Sequence, residues 1–184
     1  MADHYVFFGA EITPASANNF IQLLLGLIPQ APDHVIIAMN SPGGGVVPGI
    51  SMYNQMLAMP YPIITHNVGN VDSIANAVFL GGAERYACSA ATFMFHGVGF
   101  NGNANERLEE NNLRAKLDTV LADHRRISGI IAARTQDRIG VRSGMTLFKQ
   151  QRTRNAQWAL DNGLIMAIRD FTLPAGAGVH FLVQ

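Results

Sequence analysis

The chain has 184 residues, with 13 Lys plus Arg balanced by 13 Asp plus Glu, a charged fraction of 14% and 48% hydrophobic residues. Balanced charge supplies no field to draw in nucleic acid or an acidic membrane, so neither is an expected partner. The length fits a single domain over residues 1–184, and so apolar a composition, with no run long enough to span a bilayer, predicts self-association.

The predicted elements alternate along the chain. YVFFGA, HVIIAMN, PIITHNV and RYACSAATFMFH read as strands, and SANNFIQLLLGLI, PGISMYNQMLAM and SIANAVFLGGA as the helices between them. Continuous apolar strands alternating with helices are the pattern of βαβ units covered on both faces, an α/β fold. Ser16 and Asn18 suit caps of the first helix, and Pro29 with Pro32 close it. From Asn101 to about residue 150, charges interleave with Leu108, Leu117, Val120, Leu121, Ile127, Ile130 and Ile131 at mostly helical intervals. This predicts a long amphipathic segment, with room for one break. A further helix is predicted from Asn155 to Asn162, stopped by Gly163, and the tail PAGAGVHFLVQ carries no pattern.

Cys88 is the single cysteine, so no internal disulfide forms, and its apolar setting predicts a packed core residue. The amino-terminal stretch has neither the basic nor the apolar region of a signal peptide, which predicts a cytoplasmic protein. There is no CxxC pair, HExxH or EF-hand spacing, so no metal and no cofactor is expected.

Three stretches carry chemistry. NSPGGG, Asn40 to Gly45, lies between a strand and a helix, where glycines let backbone N–H groups approach a ligand and the helix amino end favours negative charge. It reads either as an anion cradle or as a tight strand-to-helix turn. Ser73 follows the strand PIITHNV and opens SIANAVFLGGA, a strand, turn, serine, helix layout similar to a nucleophile elbow without GxSxG. A serine there also suits a helix N-cap, a task Asp72 could take instead. His96 ends the strand ATFMF, where an imidazole, which ordinarily titrates near pH 6.5, suits a general base or a purely structural role. The pairing matters because a neutral hydroxyl attacks a carbonyl well only when a base removes its proton.

In order and spacing, NSPGGGVVPGISMYNQM, GNVDSIANAVFLGGAERYACSA and FMFHGV resemble the proteolytic subunit of the Clp protease and, more broadly, the Clp/crotonase superfamily. The resemblance covers roughly Tyr5 to Ile168. It implies an α/β fold of the Clp/crotonase-like ββα superhelix type, with a projecting handle helix in the segment of about 101–150. It further implies a serine peptidase with Ser73 as nucleophile, His96 as general base, and Gly44 and Ile74 as oxyanion-hole donors. Gly44→Val is therefore expected to cost hydrolysis more than stability.

One departure stands out. The family's catalytic Asp lies about twelve residues before the closing glycine, which here is Gly163, and that count reaches Gln151 with no carboxylate from Lys149 to Gln157. Gln151 or Thr153 would be a neutral third member, and Asp137 would serve only with a rearranged loop. The resemblance implies peptide or unfolded-protein substrates and a homo-oligomeric ring of six or seven subunits, with stacking of two rings left open. The short start before the first strand argues against an ATPase partner. Three other readings compete: a catalytically degenerate ring subunit, a Ser/Lys-dyad hydrolase using Lys149, and an acyl-CoA enzyme of the crotonase type.

Overall fold

The apolar runs YVFFGA, HVIIAMN and PIITHNV become strands, and the stretches that follow them become helices. The computed structural model describes residues 3–99 and 109–183. In chain order the elements are β1 (His4–Gly9), α1 (Pro14–Leu27), β2 (Val35–Ser41), α2 (Val46–Ala58), β3 (Ile63–Asp72), α3 (Ala75–Phe79), β4 (Glu84–Ala87) and β5 (Thr92–Phe95). There follow α4 (Glu110–Arg134), α5 (Val141–Gln150), β6 (Arg152–Asn155), α6 (Ala156–Asp161), β7 (Ala167–Ile168) and β8 (Gly178–Val183).

Among the described residues the sheet runs β6-β5-β3-β2-β1-β8, with β4 beside β3 and β7 beside β4. All pairings are parallel except β5 with β6. β2 lies centrally, and its Val35 to Met39 are buried without alternation, as a strand covered on both faces requires. α1 lays Ala17, Phe20, Leu24 and Leu27 on the sheet at helical spacing, with Phe20 edge-on to Phe8 at 5.6 Å between ring centroids.

Two local features steer the chain to the site. The β2–β3 register jumps from Met39↔Asn67 to Ser41↔Val71, so β3 bulges over residues 68–70. Below the bulge β3 pairs with β4 through Ile64 to Asn67, and above it with β5 through Asn70 to Asp72. Asn67 spans the change, its Nδ2 donating to Thr92 O at 2.8 Å while its Oδ1 accepts from Gly69 N–H.

α4 buries Asp123, Ile127, Ser128, Ile131 and Ala132 in its second half, while its first turns stand exposed, Leu113 at 45% and Leu117 at 55%. Arg85 anchors its base. The guanidinium donates to Leu164 O, Gly82 O and Arg134 O, and burial pulls its pKa down to about 10.

Several sequence expectations need correcting. RYACSAATFMFH is two strands, β4 and β5, because the turn at Ser89 to Ala90 hands pairing from one half of β3 to the other. The cap of α1 is Thr13, whose Oγ1 accepts from Ser16 N–H while Ser16 Oγ accepts from Thr13 N–H, a reciprocal capping box. The handle segment, read with room for one break, contains two helices, α4 and α5, and Leu108 lies outside the described residues. The patternless tail forms β8, which extends the sheet beside β1. Cys88 is half-buried and packs against the core as expected. No helix among the described residues is long and apolar enough to cross a membrane.

Candidate active site

β3 ends at Asp72, and Ser73 turns the chain with φ +56°, a left-handed conformation that costs a non-glycine residue about 1–3 kcal/mol. The surroundings hold it there. Ser73 N–H donates to Met94 O at 2.8 Å, and Asn76 Nδ2 donates to both Ser73 O and Met94 O at 3.1 and 2.9 Å. α3 opens at Ile74 with no side-chain cap, so neither Ser73 nor Asp72 serves as the N-cap that the sequence left open. Strand, strained serine and helix follow one another as in a nucleophile elbow.

The glycine loop abuts this turn. Ser41 Oγ donates to Ala10 O and accepts from Gly43 N–H. Ile12 clamps the loop, its N–H donating to Gly43 O at 2.7 Å and its carbonyl accepting from Gly45 N–H at 2.8 Å. Gly43 has φ +86°, and a Cβ there would lie 2.6 Å from Asp72 O and 2.7 Å from Ser73 Cβ. Only glycine allows that approach. Among the described residues, the amides of Gly44 and Ile74 donate no hydrogen bond within the chain, which leaves two N–H groups beside the serine.

His96 follows β5, and its Nδ1 lies 2.9 Å from Gly97 O. A carbonyl only accepts, so Nδ1 carries the hydrogen, and the neutral ring keeps its lone pair on Nε2. Gly44, Ser73, Ile74 and His96 line one cavity of about 370 Å³, with Ile127 and Phe148 on its apolar side. No hydrogen bond joins Ser73 to His96 among the described residues, an arrangement common where catalytic contacts tighten only around substrate. His124, to which no sequence motif points, reaches this wall from α4: its Nε2 accepts from Val98 N–H at 2.8 Å, and its ring stacks on Phe148. Burial lowers its pKa, which favours the neutral, accepting form.

The three candidates for a third member are not bonded to the imidazole. Phe95↔Arg152 is the last pair of the β5–β6 ladder, so one further step sets exposed Gln151 across from His96, while Thr153 pairs with Met94. Asp137 lies in the exposed turn after α4, its N–H donating to Ala132 O. Lys149 is also exposed, unlike the desolvated amine that a Ser/Lys dyad needs.

Comparison with known proteins gives this geometry its setting. The profile of the Clp protease family matches residues 1–171. The chain belongs to the Clp protease family. Members are serine endopeptidases that form oligomeric rings and degrade peptides or proteins. The chain is 26% identical over 183 residues to "ATP-dependent Clp protease proteolytic subunit 1" of Leifsonia xyli subsp. xyli, covering 97% of this chain and 89% of that protein. It superposes on an Asn-to-Asp point mutant of ClpP1 from Listeria monocytogenes with a TM-score of 0.79, at 19% identity over 91% of this chain and 92% of the other, a likeness of fold.

Proposed function

We propose that the chain is a serine peptidase that hydrolyses peptide bonds through an acyl-enzyme inside a self-compartmentalised homo-oligomeric ring. The observation that carries this is the strained Ser73 beside two free amides, in one cavity with an imidazole whose Nδ1 is bonded to Gly97 O. Ser73 Oγ attacks the scissile carbonyl carbon while His96 Nε2 takes its proton, and the Gly44 and Ile74 amides hold the oxyanion. The imidazolium returns the proton to the departing amine as the C–N bond breaks. Water, deprotonated by the same nitrogen, then cleaves the ester, freeing the acid and restoring the Ser73 hydroxyl. Ile127 and Phe148 favour an apolar side chain next to the scissile bond.

A fluorophosphonate labels wild type and not Ser73→Ala in the test of this reading. The second reading, a degenerate ring subunit, is favoured by the absent Ser73–His96 hydrogen bond and the carbonyl where an acid would stand. No labelling of folded wild type makes it the correct one. The ring rests on the exposed Leu113 and Leu117 of α4. Sedimentation at micromolar concentration should give a multiple of the 19.9 kDa chain, and Leu117→Glu should reduce it; a monomeric wild type removes the ring.

A further inference from the structure

A half-buried carboxylate next to the nucleophile is not used by the mechanism above. In β3, Asp72 pairs with Met94 of β5, and partners in a parallel ladder point to the same face. His96 follows Met94 by two, and the alternation of buried Phe93 and Phe95 with half-buried Thr92, Met94 and His96 keeps it on that face too. Asn70 is two residues before Asp72 and holds its Oδ2 at 2.7 Å from Nδ2. Asp72 Oδ1 is buried and makes no hydrogen bond. Among the described residues the carboxylate neither caps α3 nor forms an ion pair. Burial pushes its pKa above the usual carboxylate range, while the Asn70 bond, the nearby Met94 amide and, least of these, the charge of His96 pull it back.

We infer that Asp72 is a positioning residue for the peptidase reaction, the carboxylate whose charge stabilises the His96 imidazolium from β3, in a chain where the position expected to bear the acid holds Gln151. The inference rests on the reading of Ser73 and His96 as nucleophile and base. Asp72 takes no proton in the cycle. It offsets the positive charge that appears when His96 accepts the Ser73 proton and disappears when the amine leaves. Gly97 O fixes the ring's tautomer, a task that a neutral acceptor performs, and Asp72 supplies the negative charge that a carbonyl lacks.

The experiment compares wild type, Asp72→Asn, Asp72→Glu and Ser73→Ala by kcat and KM on a fluorogenic apolar peptide, by the rate of fluorophosphonate inactivation, and by melting temperature. Asp72→Asn retains an oxygen for Asn70 and removes the charge. It should lower kcat and the inactivation rate about 10- to 30-fold, the size of a through-space charge effect, with KM within about twofold and melting unchanged or raised. Asp72→Glu keeps the charge and should retain more of the rate than Asp72→Asn, which preserves the test if one variant folds poorly. Wild-type kcat in folded Asp72→Asn, beside an inactive Ser73→Ala, overturns the role of Asp72 and leaves the nucleophile standing. A fall in melting temperature with equal losses in both Asp72 variants also overturns it, since that is a packing effect. Hydrolysis by Ser73→Ala at the wild-type rate, or no labelling of wild type, removes the peptidase reading and this inference with it.

Discussion

His66 and His96 both give a ring hydrogen to a backbone carbonyl, and both line cavities on the sheet. At His66, below the β3 bulge, Nε2 donates to Arg169 O at 3.0 Å, Cys88 Sγ lies 3.6 Å from the same nitrogen, and the rings of Tyr86 and Phe171 pack around it. At His96, above the bulge, Nδ1 is the bonded nitrogen and Nε2 keeps its lone pair beside a strained serine. Lining a cavity does not separate a basic imidazole from an anchoring one. What differs is which nitrogen the backbone occupies, and what stands next to the other.

The sharpest way to break this comparison is to replace both rings with an amide. His96→Gln should lower kcat by about 10² to 10⁴, the usual worth of a positioned general base. His66→Gln should leave kcat within about threefold and lower stability by about 1–3 kcal/mol, through the lost bond to Arg169 O. Peptide kinetics and urea unfolding of both variants decide it, and equal kinetic losses would erase the distinction. Gly44→Val should follow in size, at about 10² to 10³ in rate for a blocked oxyanion donor. To the sequence expectation that hydrolysis suffers more than stability, the structure adds a definite cost in stability. Gly44 has φ +143°, and a Cβ would lie 2.3 Å from Ile12 O, so the variant should also melt earlier. Full hydrolysis by a folded Gly44→Val would remove that amide from the oxyanion hole.

Asn76→Ala tests the elbow itself. It removes the donor to Ser73 O and Met94 O, and should slow fluorophosphonate labelling about tenfold while lowering stability by about 1–3 kcal/mol. Unchanged labelling would mean that Ser73 N–H to Met94 O suffices to hold the turn. The smallest effect concerns pH. Burial lowers the folded pKa values of His66, His124 and His180 below 6.5, so on acidification the unfolded chain takes up protons first. Stability from these groups is complete above about pH 6.5 and declines as the pH falls from there through the lowered folded values. Melting at pH 7.5 and 5.5 should show the decline, and His124→Gln, which can still accept from Val98 N–H, should show less of it.

Much of this was legible in the residues. The apolar run from Val35 to Met39 read correctly because burial on both faces of a strand leaves no polar alternative. The relative order of Gly44, Ser73 and His96 was equally readable, since each sits at an element boundary that turn chemistry marks. Asp72 read only as a cap candidate, because its place on the same sheet face as Met94 depends on the β3–β5 register, and register is a property of two strands together. Asn76 left a signal, a lone amide in an apolar helix, whereas nothing local pairs His124 with Val98, 26 residues away. The two-strand nature of RYACSAATFMFH was hidden for the same reason as the register: apolar content does not count neighbours.

The bulge at residues 68–70 gives β3 two independent frames of reference. Side chains along a strand alternate with period two, so deleting one residue below the bulge, at Thr65 for example, displaces Ile63 and Ile64 against β2 and β4. Deleting one above it, at Val71, instead carries Asp72 and the approach to Ser73 onto the opposite face, turning a charged group toward Phe93 and the core. The slack of the bulge lies between the two. A length change at residues 68 and 69, which pair with neither β4 nor β5, is taken up before it reaches either frame, so the strand's variation in length is admissible there and inadmissible at Thr65 or Val71.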